Sequence, residues 1–208
     1  MQRILIVDDH PLIRMSMRML LEQEGYEVAG EIDDGSEVLP AIRKMQPDII
    51  ILDIFLPKMD GLKVISRIKS EGSLVKILVV SSQEEQHFAP RCMRAGATGF
   101  ISKNNGLDEL NEAIKAIVKN RVYFPANVYS AVNEGPSEND AALISTLSNR
   151  ELQIFQYLVR GWSNKKISET MLLSDKTVST YKVRLMKKLN VKSLVELVDF
   201  AKINSVIN

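Results

Sequence analysis

The chain has 208 residues, of which 45% are hydrophobic and 25% charged, a length that suits two small cores better than one. No apolar run approaches the roughly 20 residues that span a bilayer, which excludes a membrane-spanning helix, and Cys92 is the only cysteine, which excludes an intrachain disulfide or a cysteine-based zinc cluster and fits a reducing compartment. The net charge of +1 hides a split: residues 147–208 carry 11 Lys+Arg against 5 Asp+Glu, the preceding 146 residues 16 against 21, so a basic tail domain follows an acidic head.

At the N-terminus the apolar run Ile4-Leu5-Ile6-Val7 is broken by Asp8-Asp9, too soon for a secretory signal. Ile4–Val7, Ile49–Leu52, Ile77–Val80 and Phe100–Ile101 are continuous apolar runs rich in β-branched residues, as expected of strands buried on both faces of a parallel sheet. Between them, Ile13, Met17, Leu20 and Leu21 form one apolar helical stripe, and Leu107, Leu110, Ile114, Ile117 and Val118 another. This alternation predicts a doubly wound α/β domain of about five strands over residues 1–124. Residues 125–146 gain turn formers and small polar residues and read as a linker. From Leu147 the pattern is helical only. Leu152, Phe155, Leu158 and Val159 share a face, Gly161 is a stop, and Ser163 and Ser174 are placed as N-caps.

In an open α/β sheet, ligands gather at the carboxyl ends of the strands. Asp8 and Asp9 end the first strand, Asp53 the third, Ser81 and Ser82 the fourth and Lys103 the fifth. Three crowded carboxylates repel one another unless one takes a proton or a cation intervenes. A hard, oxygen-ligated ion such as Mg²⁺ suits a site that also accepts phosphate oxygens. With Mg²⁺ on one side and Lys103 on the other, a carboxylate can attack phosphorus and form an acyl phosphate; Asp53, on the central strand, is the candidate. His10 reads as the entrance residue of a helix, His87 as a solvated residue of a polar loop and Cys92 as core packing.

The Asp8-Asp9 pair, Asp53 with Pro57 and Asp60-Gly61, Ser81, and Lys103 three residues after Phe100 resemble the receiver domain of two-component systems across residues 3–119. The resemblance implies a flavodoxin-like fold with Mg²⁺ held by Asp8, Asp9, Asp53 and the backbone carbonyl of Phe55. It implies that Asp53 accepts the phosphoryl group, that Ser81 donates its hydroxyl to that group and that Lys103 pairs with it. Phe100 matches the switch aromatic that turns inward as Ser81 moves. Two positions depart from the pattern: Asn104 replaces the usual proline, and the switch aromatic is Phe rather than Tyr.

From Ser174 to Leu189, Val178, Leu185 and Leu189 fall on one face, and Lys176, Ser179, Thr180, Val183, Arg184 and Lys187 on the other. Bases, small hydroxyls and one β-branched methyl on one helix face suit phosphate, base-edge and thymine-methyl contacts in a major groove. Leu147-Ser148-Asn149-Arg150-Glu151, Ser163-Asn164-Lys165-Lys166-Ile167 and Ser174-Asp175-Lys176-Thr177-Val178-Ser179 resemble the LuxR-type helix-turn-helix, an all-α four-helix domain, over 147–203. With the receiver in front, the chain is similar to the NarL/FixJ family, nearest its BvgA/EvgA branch. The resemblance implies phosphate contacts from Thr177, Lys182 and Lys188, and a dimer surface at Leu194, Leu197 and Val198. It implies a cytoplasmic transcription regulator rather than an enzyme. Its expected partners are a sensor histidine kinase, promoter DNA with inverted or direct half-sites, a second copy of the chain and RNA polymerase, with no membrane. The competing readings are a flavodoxin-like redox protein, an aspartate-based phosphohydrolase, a sigma-factor-like protein and a regulator that ignores phosphorylation. Flavodoxins need a hydroxyl- and glycine-rich loop where Asp8-Asp9-His10-Pro11 stands, and acids there repel phosphate in the absence of a metal.

Overall fold

The computed structural model describes residues 1–82, 85–126, 128 and 138–204. The chain divides into two compact units, Met1–Asn133 and Glu134–Asn208. Among the described residues, no helix is long and apolar enough to cross a membrane.

The first unit is a parallel sheet of β1 (Arg3–Val7), β2 (Glu27–Ile32), β3 (Ile49–Leu52), β4 (Lys76–Ser81) and β5 (Gly99–Ser102), in the order β2-β1-β3-β4-β5. The helices are α1 (Pro11–Gln23), α2 (Val38–Met45), α3 (Gly61–Ser70), α4 (Glu85–Ala95) and α5 (Leu107–Val118). The side-chain period of two divides the core. Ile4, Ile6, Ile49, Ile51, Leu78, Val80 and Ile101 meet Met17 and Leu21 of α1 and Leu110, Ile114 and Ile117 of α5. Their strand neighbours, including Leu5, Ile50, Val79 and Phe100, are as fully buried, and α2, α3 and α4 form the second helical layer. Cys92 is buried in α4, where burial pushes its thiol up out of reach of ionisation. His87 lies within α4 rather than in a loop, and its side chain falls outside the described residues.

The sheet reverses direction of winding at β1 and β3, so the loops after these strands open a crevice at their carboxyl ends. Gly61 makes this crevice possible. A Cβ there would lie 2.7 Å from the Asp53 carbonyl oxygen and 2.7 Å from the Ile54 Cα. The start of α3 can therefore lie directly against the backbone that carries Asp53 only because residue 61 has no side chain.

The second unit contains α6 (Glu138–Ser145), α7 (Asn149–Val159), α8 (Asn164–Met171), α9 (Asp175–Lys188) and α10 (Leu194–Ile203). α6 lies inside the 125–146 stretch that composition marks as linker. Its weak apolar period explains the discrepancy, and residues 127 and 129–137 of that stretch lie outside the described set. The starts of α7 to α10 are set by Ser148, Ser163, Ser174 and Ser193, each accepting the N–H three residues on. Ser148 and Glu151 form a reciprocal capping box.

In α10 the inward face is Leu197 and Ala201, both fully buried, while Phe200 meets Phe155 with ring centroids 6.3 Å apart. Leu197 therefore cannot be the dimer contact expected of it: packing against α7 sets the phase of the helix. Leu194 is 41% and Val195 71% exposed, so these two supply the outward apolar surface, with Val198 half-buried between the faces. Leu197→Ala should cost about 2–5 kcal/mol and Val195→Ala no more than about 0.5 kcal/mol, as measured by urea unfolding. A Leu197→Ala protein of unchanged stability that fails to dimerise would return Leu197 to the interface.

Candidate functional site

The strand ends deliver the acidic residues to one place. Asp8 and Asp53 are almost fully buried and Ser81 fully so. Asp53 follows β3 directly and is held by its N–H donating to the Val7 carbonyl at 2.8 Å, while the Phe55 N–H donates to Asp53 Oδ1 at 3.2 Å. Lys103, at the first position of a 3₁₀ turn after β5, brings Nζ to 2.7 Å from Asp53 Oδ2 and 2.6 Å from Asp8 Oδ2. The peptide bond that follows it, before Asn104, is trans.

His10 is the main addition to the expected set. It occupies the N-cap position of α1 but makes no side-chain cap. Its ring turns back instead, Nδ1 lying 2.7 Å from Asp9 Oδ1 and 3.2 Å from Asp8 Oδ1. Asp8, Asp9, His10 and Asp53 each offer a ligand atom within 4.8 Å of one another. Asp34 and Lys58 flank the crevice as an ion pair at 2.5 Å. Lys58 and the N–H and hydroxyl of Ser36 hold the Asp34 carboxyl down to about 2.

Three carboxylates face one ammonium here. Burial pushes the Asp53 carboxyl above the usual carboxylate range; Lys103 pulls against this shift and the charge of Asp8 adds to it. Burial also works to lower Lys103, but Asp53 and Asp8 outweigh it and hold the ammonium raised. Asp53 is raised by its burial, whereas Lys103 is raised by the two acids that face it. The donor set fits a hard divalent cation. All three acids present oxygen, and Asp8 Oδ2 and Asp9 Oδ1 are buried without a well-directed hydrogen bond although charged groups lie near them.

Ser81 and Phe100 lie on the same face of the sheet, since Val79 pairs with Phe100 and Ser81 with Ser102. Phe100 is fully buried. The expected inward swing from an exposed position is therefore not available to it in this conformation, because the ring already occupies the inner side.

On α9, Val178 and Leu185 are buried, and Lys176, Ser179, Thr180, Val183, Arg184 and Lys187 are exposed together. Thr177 and Lys182 are half-buried at the edges. The Thr177 hydroxyl lies 2.8 Å from the capping hydroxyl of Ser174, and that of Thr180 donates to the Lys176 carbonyl. Lys188 departs from its expected role. Its Nζ lies 2.6 Å from Glu151 Oε2 and donates to the Thr146 carbonyl at 3.0 Å, so it ties the end of α9 to the start of α7. Burial raises the Glu151 carboxyl, but Lys188 and Ser148 outweigh this and leave it lowered.

Known proteins match along the whole chain. Residues 4–115 match the response regulator receiver domain family and residues 145–201 the bacterial regulatory proteins of the luxR family. The virulence-factor transcription regulator BvgA of Bordetella pertussis is 48% identical over 204 residues, 98% of each chain. The DNA-binding transcriptional activator EvgA of Escherichia coli is 35% identical over 202 residues, 97% of this chain and 98% of EvgA. Among solved structures, RcsB of Salmonella enterica serovar Typhimurium bound to promoter DNA with a phosphomimetic shares the fold, with a TM-score of 0.61 at 23% identity over 98% of each chain.

Two outcomes follow from the charges. Because the Asp53 carboxyl is raised in the folded state, stability associated with its neutral form is present at acid pH and is lost as pH rises from the ordinary carboxylate value, about 4, through the folded value. Asp53→Asn should thus stabilise the metal-free protein by about 1–3 kcal/mol near neutral pH and by much less near pH ~4. Saturating Mg²⁺ should close the gap in chemical unfolding, and a gap independent of pH and Mg²⁺ would refute a cost of ionising the buried Asp53. For Lys188→Ala, the expected loss is about 1–3 kcal/mol of stability, smaller as pH falls and Glu151 protonates, with no change in the salt dependence of DNA binding. A slope reduced by about one unit would make Lys188 a phosphate contact after all.

Proposed function

The chain belongs to the NarL/FixJ family of two-component response regulators, a receiver domain joined to a LuxR-type DNA-binding domain, and on that premise we propose that phosphoryl transfer to Asp53 controls promoter binding through α9. The observation that carries this reading is the convergence of Asp8 and Asp53 on Lys103 Nζ at 2.6 and 2.7 Å, at the crevice where the strand order reverses.

A phosphohistidine of a sensor kinase supplies the group. As an Asp53 carboxylate oxygen attacks phosphorus, the P–N bond breaks and its electron pair stays with the departing imidazole. The charge is then carried by the chain's own groups. Lys103 exchanges a carboxylate partner for a phosphoryl oxygen, and the Ser81 hydroxyl donates to another. Mg²⁺ bound by Asp8, Asp9, Asp53 and the Phe55 carbonyl would neutralise the phosphoryl oxygens that face the acids. The kinase docks on α1, which starts just beyond Asp9 and exposes Leu12, Met15 and Met19 on its outer side.

Phosphorylation then favours the conformation with Phe100 inside and stabilises a homodimer on DNA. Two α9 helices sit on half-sites about one DNA turn apart, with Lys176, Ser179, Thr180, Val183, Arg184 and Lys187 facing the groove, Thr177 and Lys182 at its edge, and Leu194, Val195 and Val198 between protomers. The protein acts in the cytoplasm, where its DNA is, and RNA polymerase is the further partner through which promoter binding is read.

The direct experiment incubates the chain with Mg²⁺ and a small phosphodonor and compares the DNA affinity of wild type and Asp53→Ala. Wild-type affinity should rise by roughly 5- to 150-fold, the usual range of allosteric coupling, and that of the variant should not change. An equal response of the two proteins contradicts the phosphoryl switch; tight binding by both without the donor favours a regulator that ignores phosphorylation.

A further inference from the structure

The turn between α7 and α8 carries an aromatic stack that the α9 contacts leave unexplained. α7 ends in a left-handed turn at Gly161 (φ +78°), whose N–H donates to the Leu158 carbonyl at 3.0 Å while the Trp162 N–H donates to the Tyr157 carbonyl at 3.1 Å. This Schellman arrangement lays Trp162 on Tyr157, with the rings 9° from parallel and 4.5 Å apart. The Nζ of Lys166, in the first turn of α8, lies 4.0 Å from the Trp162 ring centroid. An aromatic ring at 4.5 Å leaves no room for an ammonium on that face, so Trp162 is held between Tyr157 on one side and Lys166 on the other.

This stack borders the exposed face of α9. Asn164, the first residue of α8, donates from Nδ2 to the hydroxyl of Ser179 at 3.2 Å. A duplex seated on Ser179 therefore meets the first turn of α8, where Lys166 is exposed. Among the described residues, no carboxylate lies within ion-pair distance of Lys166. A lysine stem is otherwise free to take many rotamers, and that freedom is lost when it grips a phosphate. Attraction to the indole face restricts the stem before DNA arrives, and the ammonium has three N–H donors, so it can keep the ring while donating sideways to a phosphate oxygen.

We propose that Lys166 is a DNA-phosphate contact beside the recognition helix and that Trp162 is the positioning residue that holds it there, an inference that rests on the DNA-binding reading above. The stack also serves as the apolar contact of the Schellman turn. Trp162→Leu separates the two roles, since it keeps an apolar side chain at the turn but removes the aromatic face.

The test uses the full phosphorylated chain and a duplex that the wild type selects from a random library, with dissociation constants measured over a salt series. Lys166→Ala should lower the slope of log affinity against log salt by about 0.9. Trp162→Leu should weaken binding by about 2- to 5-fold at an unchanged slope, Trp162→Phe should restore most of the loss, and Trp162→Leu added to Lys166→Ala should cost nothing more. An unchanged slope in Lys166→Ala overturns the phosphate contact. An equal loss from Trp162→Leu in both backgrounds overturns the positioning role and leaves a purely structural stack. A wild type that selects no duplex overturns the DNA-binding reading itself, and this inference with it.

Discussion

A single ammonium, Lys103, sits between two buried carboxylates, and the behaviour of the first unit depends on the charge it fails to cancel. Its Nζ lies within 2.7 Å of both Asp53 and Asp8, while Asp9 adds a third negative group at the mouth. Charges this close in a medium of low dielectric cannot all persist without a proton or a cation. Burial makes Asp53 costly to ionise, and the surplus of acids makes the pocket receptive to a divalent ion. Two residues hold this arrangement together at the backbone level. Gly61 admits the start of α3 against the strand that carries Asp53, and Asp60 caps that helix by accepting the Leu62 N–H at 2.9 Å.

The second unit solves a different problem, since its helices are short and depend on their ends. Serine caps set the starts of α7 to α10, and the Glu151–Lys188 pair joins α7 to the far end of α9. Two anchored ends leave the middle of α9 to present a row of exposed side chains with little freedom to tilt. The first turn of α8 is fixed to that row through Asn164 and Ser179. A rigid presentation of this kind is what base and phosphate contacts require of a helix in a groove.

Much of this was legible in the residues, and the gaps have physical causes. Continuous runs such as Ile49–Leu52 mark buried parallel strands, and a strand end fixes where the next side chain emerges, so the meeting of Asp8, Asp53 and Lys103 could be read from strand order alone. The serines at 163 and 174 announced helix starts through local chemistry. What stayed hidden depends on contacts remote in sequence or on helix phase. Glu151 and Lys188 are 37 residues apart, and nothing local distinguishes Lys188 from the exposed Lys187. Leu194 and Leu197 are both apolar, and only packing on α7 sends one outward and the other into the core. Phe100 belongs to a run that reads as buried, while its switch position implies a ring that starts outside, and only the packed structure decides between the two. The turn of the His10 ring toward Asp9 is the nearest to a missed signal. A histidine directly after two acids at a strand end has carboxylates within reach whichever way the helix begins.

The phosphoryl switch needs the group to reside on Asp53 rather than on the histidine beside it. Borohydride reduction of the chain after exposure to Mg²⁺ and a small phosphodonor, followed by peptide mass spectrometry, locates the acyl phosphate directly. A single reduction product at Asp53, absent when Mg²⁺ is chelated, is the predicted result. A phosphoryl group found on His10, or an unmodified Asp53 under the same conditions, would contradict the account.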